Sequence, residues 1–166
     1  PELKKPEFHL TEGLDPVPPF MEALKRSGAL DGTQPCYIQC FHPATLRRIR
    51  RDYGPGLTLV QLIGRNAWKE SSVDYDQLLS EAGLREVATY ADGIGLPIDL
   101  LVSFKEGGLE WLPAKSWARE AGLIIHPYTL RRETIPEGFT YGQVLAFLAA
   151  GGGVDGLFTD FPDLRP

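Results

Sequence analysis

Val154-Asp155-Gly156-Leu157-Phe158-Thr159-Asp160-Phe161-Pro162-Asp163 is the stretch that decides the fold class. An apolar strand core runs into Thr-Asp and stops at Phe-Pro, which is how a buried parallel strand delivers polar groups to a functional rim. Outward from it, strand and helix alternate. The helix predicted over residues 141–150 runs out in Gly151-Gly152-Gly153 just before this strand. Ahead of it lie a strand at 123–126, a helical region at 112–121 and a strand-like piece at 91–95. A helix near 75–90 places Leu78, Ala82, Val87 and Ala91 mostly on one side, and a polar insertion over 64–74 carries Trp68. The strand at 57–63 is nearly all apolar, as expected when both faces are covered. Pro43 opens a helix with Leu46, Ile49 and Tyr53 on one face, stopped by Gly54-Pro55-Gly56. Before it come a strand at 36–41, a helix around 18–27 closed by Gly28, a polar loop at 9–15 and a short strand at 2–4.

This alternation, with no hairpin signal, predicts a parallel α/β fold. A doubly wound sheet usually carries a Gly-rich turn after its first strand. The nearest approach is Gly93-Ile94-Gly95, which lacks the third glycine and the following helix. The strands instead end in polar groups (Glu2 and Lys4, Gln39, His126 and Tyr128, Thr159 and Asp160), the habit of a (β/α)8 barrel. A TIM barrel takes roughly 250 residues and eight strand–helix units, of which this chain supplies about five. The expectation is the C-terminal part of a TIM (β/α)8 barrel over residues 1–166, with the N-terminal half of the barrel absent. The opening Pro1-Glu2-Leu3-Lys4-Lys5-Pro6, a charged strand with no initiator Met, fits that expectation.

A composition of 43% hydrophobic and 23% charged residues is that of a globular domain with one core. Seventeen Lys and Arg against 22 Asp and Glu leave a net charge of −5, which argues against a broad nucleic-acid footprint. No apolar run approaches the roughly 20 residues needed to cross a bilayer as a helix. The two cysteines, Cys36 and Cys40, share a strand face but stand about 13 Å apart at ~3.3 Å per residue, too far to pair. They read as small buried hydrophobes.

Glu2-Leu3-Lys4 sets a carboxylate and an ammonium two apart on one strand, facing the same way. At a barrel mouth such a pair could hold a divalent cation by oxygen and a phosphate by charge; otherwise it is a surface ion pair. His126-Pro127-Tyr128-Thr129-Leu130-Arg131 brings an imidazole, a phenol and a guanidinium to a strand end, for an anionic ligand or for packing alone. His9 and His42 each stand alone, which is more often structural than catalytic. Arg47, Arg48, Arg50 and Arg51 read as the solvated side of an amphipathic helix. There is no nucleophile elbow, P-loop or zinc-ligand cluster.

Six blocks then occur in register: Pro1-Glu2-Leu3-Lys4-Lys5-Pro6-Glu7-Phe8-His9, Ile38-Gln39-Cys40-Phe41, Leu59-Val60-Gln61-Leu62-Ile63, Tyr90-Ala91-Asp92-Gly93-Ile94-Gly95, the His126 block and residues 155–163. Together they resemble the C-terminal half of the glycerophosphodiester phosphodiesterase family, most closely its longer, bacterial periplasmic-type branch. The resemblance implies a TIM barrel that hydrolyses a glycerophosphodiester to an alcohol and glycerol 3-phosphate, with Ca2+ or Mg2+ as cofactor. It implies Glu2 as a metal ligand, Lys4 near the phosphate, and Gln39, Phe41 and Tyr128 as substrate-binding lining at the barrel mouth.

In that family the acid and base are two histidines of the first barrel half, one in a His-Arg-Gly block. The other metal carboxylates form a Glu-x-Asp block upstream. The resemblance therefore implies no catalytic residue in this chain, and His9, His42 and His126 match none of those positions. His42 stands where the family commonly has Asp, and reads as a helix start. The chain alone is expected to be inactive and to need the N-terminal half of the same protein. The alternatives are a non-catalytic half-barrel that binds a phosphorylated ligand or partner, or a related phospholipid phosphodiesterase of the same fold. A periplasmic or secreted location is the expectation carried by the branch it resembles.

Overall fold

The computed structural model describes residues 1–164. Its centre is a parallel sheet of β1 (Tyr37–Cys40), β2 (Thr58–Leu62), β3 (Gly93–Gly95) and β6 (Ile124–Ile125), with neighbours in chain order. Three single bridges extend it, one of them joining Pro97 to Tyr128 beyond β3 and β6. Glu2 lies parallel to Gln39, whose N–H donates to the Pro1 carbonyl (2.9 Å) and whose carbonyl accepts from the Leu3 N–H (3.0 Å). At the other edge, Leu130 pairs with Thr159. Winding that never reverses is the order of a barrel wall rather than of a doubly wound sheet. The sheet is open: no bridge joins residues 1–3 to residues 154–159 among the described residues.

The predicted final strand is thinner than expected. Residues 154–159 run extended beside the chain that leaves β6, held by Asp155 N–H to Ile125 O (3.0 Å), Phe158 N–H to Pro127 O (3.0 Å) and Leu130 N–H to Phe158 O (2.8 Å). Their outer backbone meets no further strand among the described residues, so no ladder develops.

The helices are α1 (Pro6–Thr11), α2 (Val17–Arg26), α3 (Pro43–Tyr53), α4 (Tyr75–Leu78), α5 (Glu81–Val87), α6 (Pro113–Glu120) and α7 (Tyr141–Ala149). Proline in the first turn pre-sets φ at the starts of α1, α3 and α6, where no N–H is missed. In α3, Leu46 and Ile49 are fully buried, but Tyr53 is 42% exposed because the helix ends there, at Gly54. Helix α1 takes in the first three residues of the loop predicted over 9–15. The single helix predicted over 75–90 is two: the Ser80 hydroxyl accepts the Gly83 N–H and starts α5 afresh.

A hairpin also escaped the sequence reading. Between β3 and α6, β4 (Val102–Lys105) and β5 (Gly108–Trp111) pair antiparallel about the two-residue turn Glu106-Gly107. It packs outward through Phe104 edge-on to Phe139 (5.3 Å) and Trp111 stacked on Phe147 (4.5 Å). The turn signal was Gly107-Gly108, and the alternation on either side was short.

Two aspartates tie the sheet from below. Asp92 accepts the Leu59 N–H (2.7 Å) and a bond from Arg50 (2.6 Å); Asp155 accepts the Ile125 N–H (2.8 Å) and a bond from Arg119 (2.7 Å). Arg50 also donates to the carbonyls of Tyr90 (3.2 Å), Pro55 (3.0 Å) and Leu57 (2.8 Å). It is a staple, not the solvated charge predicted. Arg48 likewise grips Asp15 through both terminal nitrogens (2.9 and 2.6 Å).

Gly93 and Gly95 are explained by close approach rather than by ligand binding. A Cβ on Gly93 would lie 2.2 Å from Ile124 Cγ1 and 2.9 Å from the Ile124 carbonyl; on Gly95 it would lie 2.6 Å from Leu62 Cδ2. Gly93→Ala is expected to cost about 1–3 kcal/mol in urea-unfolding free energy through overpacking. Gly56→Ala, with open space around its Cβ, is the control and is expected to be near neutral.

Candidate active-site cleft

Strand alternation sorts the β1 side chains. Ile38 and Cys40 are fully buried against the helices, while Tyr37, Gln39 and Phe41 take the opposite, concave face. Pairing of residues 1–3 with Gln39 brings Glu2 to the same rim. At the C-terminal ends of the strands a cleft of about 300 Å3 is lined by Glu2, Lys4, Gln39, Phe41, Tyr128 and Thr129. Leu62, Trp68, Glu70 and Phe158 complete its wall. All five residues singled out from the sequence thus share one cleft.

Lys4 Nζ donates to Glu2 Oε1 at 3.1 Å; the Glu2 side chain is 21% exposed and that of Lys4 76%. The carboxylate is fixed in the wall and the ammonium is free to swing. Phe41 stands edge-on to Tyr75 (6.1 Å) and to Tyr128 (6.3 Å). The Tyr128 hydroxyl donates to the Ile63 carbonyl (2.8 Å), and burial pushes its pKa well up, with Tyr75 and the carboxylates of Glu2 and Glu70 adding to the effect. Tyr128 therefore stays a protonated phenol that presents its ring to the cleft.

Gln61, quoted in the sequence only as strand, holds this rim together. Its buried amide nitrogen donates to the carbonyls of Cys40 (3.3 Å), Phe41 (3.0 Å) and Leu62 (2.8 Å), and its oxygen accepts from Tyr90 (3.0 Å). Trp68 and Glu70 also went unassigned; the available signal was a polar insertion placed just after a strand end. Gly64 lets the two rings close in, since a Cβ there would lie 3.1 Å from Trp68 Cε3 and 3.3 Å from Phe41 Cε1. Arg65, paired with Asp99, lies 6.0 Å from the Trp68 ring.

None of the three histidines lines the cleft. His9 sits on α1 against Phe8 (5.5 Å). His42 occupies the N-cap position of α3, with Nδ1 2.9 Å from the Thr45 hydroxyl and Nε2 3.5 Å from Glu7 Oε1. His126 lies on the concave face, edge-on to Tyr37 at 4.7 Å. Arg131 pairs with Asp160 (2.5 Å) away from the cleft. The cysteines are free, and burial pushes the Cys40 thiol up to about 12. Among the described residues no three His, Cys, Asp or Glu side chains converge on a metal position. Glu2 and Glu70 are the only carboxylates of the cleft, so its residues amount to a partial donor set for a hard cation.

An open parallel sheet wound in barrel order, with a charged and aromatic cleft at its strand C-termini, defines an α/β protein with an enzyme-like site. The chain belongs to the glycerophosphoryl diester phosphodiesterase family, whose sequence profile matches residues 3–164. It is 33% identical to a glycerophosphodiester phosphodiesterase of Haemophilus influenzae over 181 residues, covering 98% of this chain and 50% of that protein. It is 29% identical to one of Treponema pallidum, covering 98% of this chain and 51% of that protein. The chain spans about half the length of the curated relatives it matches.

Burial holds the His126 pKa below its ordinary value of 6.5, and Asp155 only partly opposes this. The unfolded chain then binds more protons than the folded one between these two values, so stability falls as pH drops through that window and is level above it. Urea midpoints measured from about pH 7 down to pH 5 should fall, and His126→Gln should remove part of the slope. A slope unchanged by the substitution would contradict this assignment.

Proposed function

We propose that the protein containing this chain hydrolyses glycerophosphodiesters to an alcohol and glycerol 3-phosphate, with the Glu2–Lys4 cleft as part of its active site. The observation that supports this most is the Glu2–Lys4 contact at the rim of an aromatic cleft, within a chain matched to the phosphodiesterase family over residues 3–164. Glu2 is assigned as one ligand of a divalent cation, Ca2+ or Mg2+, because a half-buried carboxylate is a hard oxygen donor. When bound, such a cation polarises the phosphoryl group. Lys4 leaves Glu2 for the phosphate oxygens and offsets the charge that grows on them in the transition state. Gln39, Phe41 and Tyr128 line and orient the substrate.

The acid–base pair and the remaining metal ligands are assigned to the N-terminal half of the barrel. Both open sheet edges support this, because each offers unpaired backbone groups that further strands would satisfy. The isolated chain should release no glycerol 3-phosphate from glycerophosphodiesters in the presence of Ca2+ or Mg2+. Joined to the N-terminal half of the Haemophilus influenzae relative, it should turn over. Glu2→Gln and Lys4→Ala in that joined protein should each lower kcat/KM by roughly 100-fold or more. Turnover by the isolated 166 residues would contradict the division of labour. Saturable phosphate-ester binding without turnover in the joined protein would favour the non-catalytic half-barrel.

A further inference from the structure

Glu70 is half-buried in the cleft wall, yet no hydrogen bond or ion pair engages its carboxylate among the described residues. It lines the cleft together with Tyr128, and its charge adds to the burial that raises the Tyr128 pKa. Four rings, Phe41, Trp68, Tyr128 and Phe158, line the same cleft, and Trp68 and Phe158 are 44% and 41% exposed there. The other lining charges answer each other, Lys4 with Glu2. Arg65, which approaches Trp68, is answered by Asp99. One negative charge beside open aromatic faces is therefore left without a partner. Aromatic faces and a carboxylate together recognise an alkylammonium group, which is weakly hydrated and gains both ring quadrupole attraction and charge pairing.

From this geometry we propose that Glu70, with Trp68 and Phe158, forms a subsite for the positively charged alcohol moiety of a zwitterionic phosphodiester. The proposal rests on the phosphodiesterase reading for the identity of the phosphodiester. Lys4 serves the phosphate and Glu70 the ammonium, so oppositely charged side chains of one cleft match opposite charges of one substrate. Glu70 and Trp68 act here as specificity residues.

The test separates the subsite from the reaction. Choline and its neutral isostere 3,3-dimethylbutan-1-ol are titrated into the 166-residue chain, reading the Trp68 indole N–H resonance. Choline should bind roughly tenfold or more tightly than the isostere, and Glu70→Gln should bring the two close to equal. The wild-type contrast stands without any variant. Equal binding of the two, or no saturable binding of either, overturns the subsite even where hydrolysis is found. Preferential choline binding supports the subsite even where no glycerophosphodiester is hydrolysed, an outcome that counts against the hydrolase reading alone. In the joined enzyme, Glu70→Gln should lower the kcat/KM ratio of a choline diester to a glycerol diester about tenfold. An equal loss on both substrates with a raised metal requirement would instead make Glu70 a metal ligand and overturn the proposal.

Discussion

The buried amide of Gln61 is the contact on which the cleft depends. A side-chain amide without partners inside a protein costs several kcal/mol, on the order of 1–3 by mutational measures, so it survives only where every bond is made. Here its nitrogen reaches three carbonyls at the ends of β1 and β2, and its oxygen takes the Tyr90 hydroxyl. Those carbonyls belong to the point where β1 gives way to Phe41 and β2 to Ile63. The network thus fixes the backbone under Phe41 and Leu62, and with it one wall of the cleft. The sheet below is set by Gly93 and Gly95, where backbone approach leaves no room for a Cβ.

Charge is laid over this frame in two ways. Below the sheet, Asp92 and Asp155 each accept one strand N–H and one arginine through Oδ2, so each carboxylate is both bonded and charge-paired. Above it, pairing is looser. Lys4 is mostly exposed and has a single contact, while Glu70 has none among the described residues. Structural charges are paired and cleft charges are left available, a division that follows from what each end of a parallel sheet does. Membership of the glycerophosphoryl diester phosphodiesterase family gives the cleft its chemical context.

Much of the fold was legible because its signals are local. Pro43 and Gly54 bracket α3, the apolar run of β2 needs both faces covered, and Gly28 stops the chain after α2. Failures came where tertiary contacts decide. Nothing in 75–90 distinguishes one helix from two until Ser80 finds the Gly83 N–H. Arg50 looks solvated on a helical wheel, and only the fold brings Tyr90, Leu57 and Asp92 around it. Of the cleft lining, Glu2, Lys4, Gln39, Phe41 and Tyr128 had been singled out by family resemblance. Trp68 and Glu70 were not, because an irregular insertion has no period to betray which side chains turn inward.

The central claim is that residues from five separate segments form one ligand cleft for a phosphorylated glycerol. Titration of glycerol 3-phosphate into the isotope-labelled chain, followed by backbone and side-chain NMR, tests it most directly. The account predicts saturable shifts concentrated at Lys4, Gln39, Phe41, Trp68 and Tyr128. Shifts centred on the helical face, or none that saturate, would contradict it.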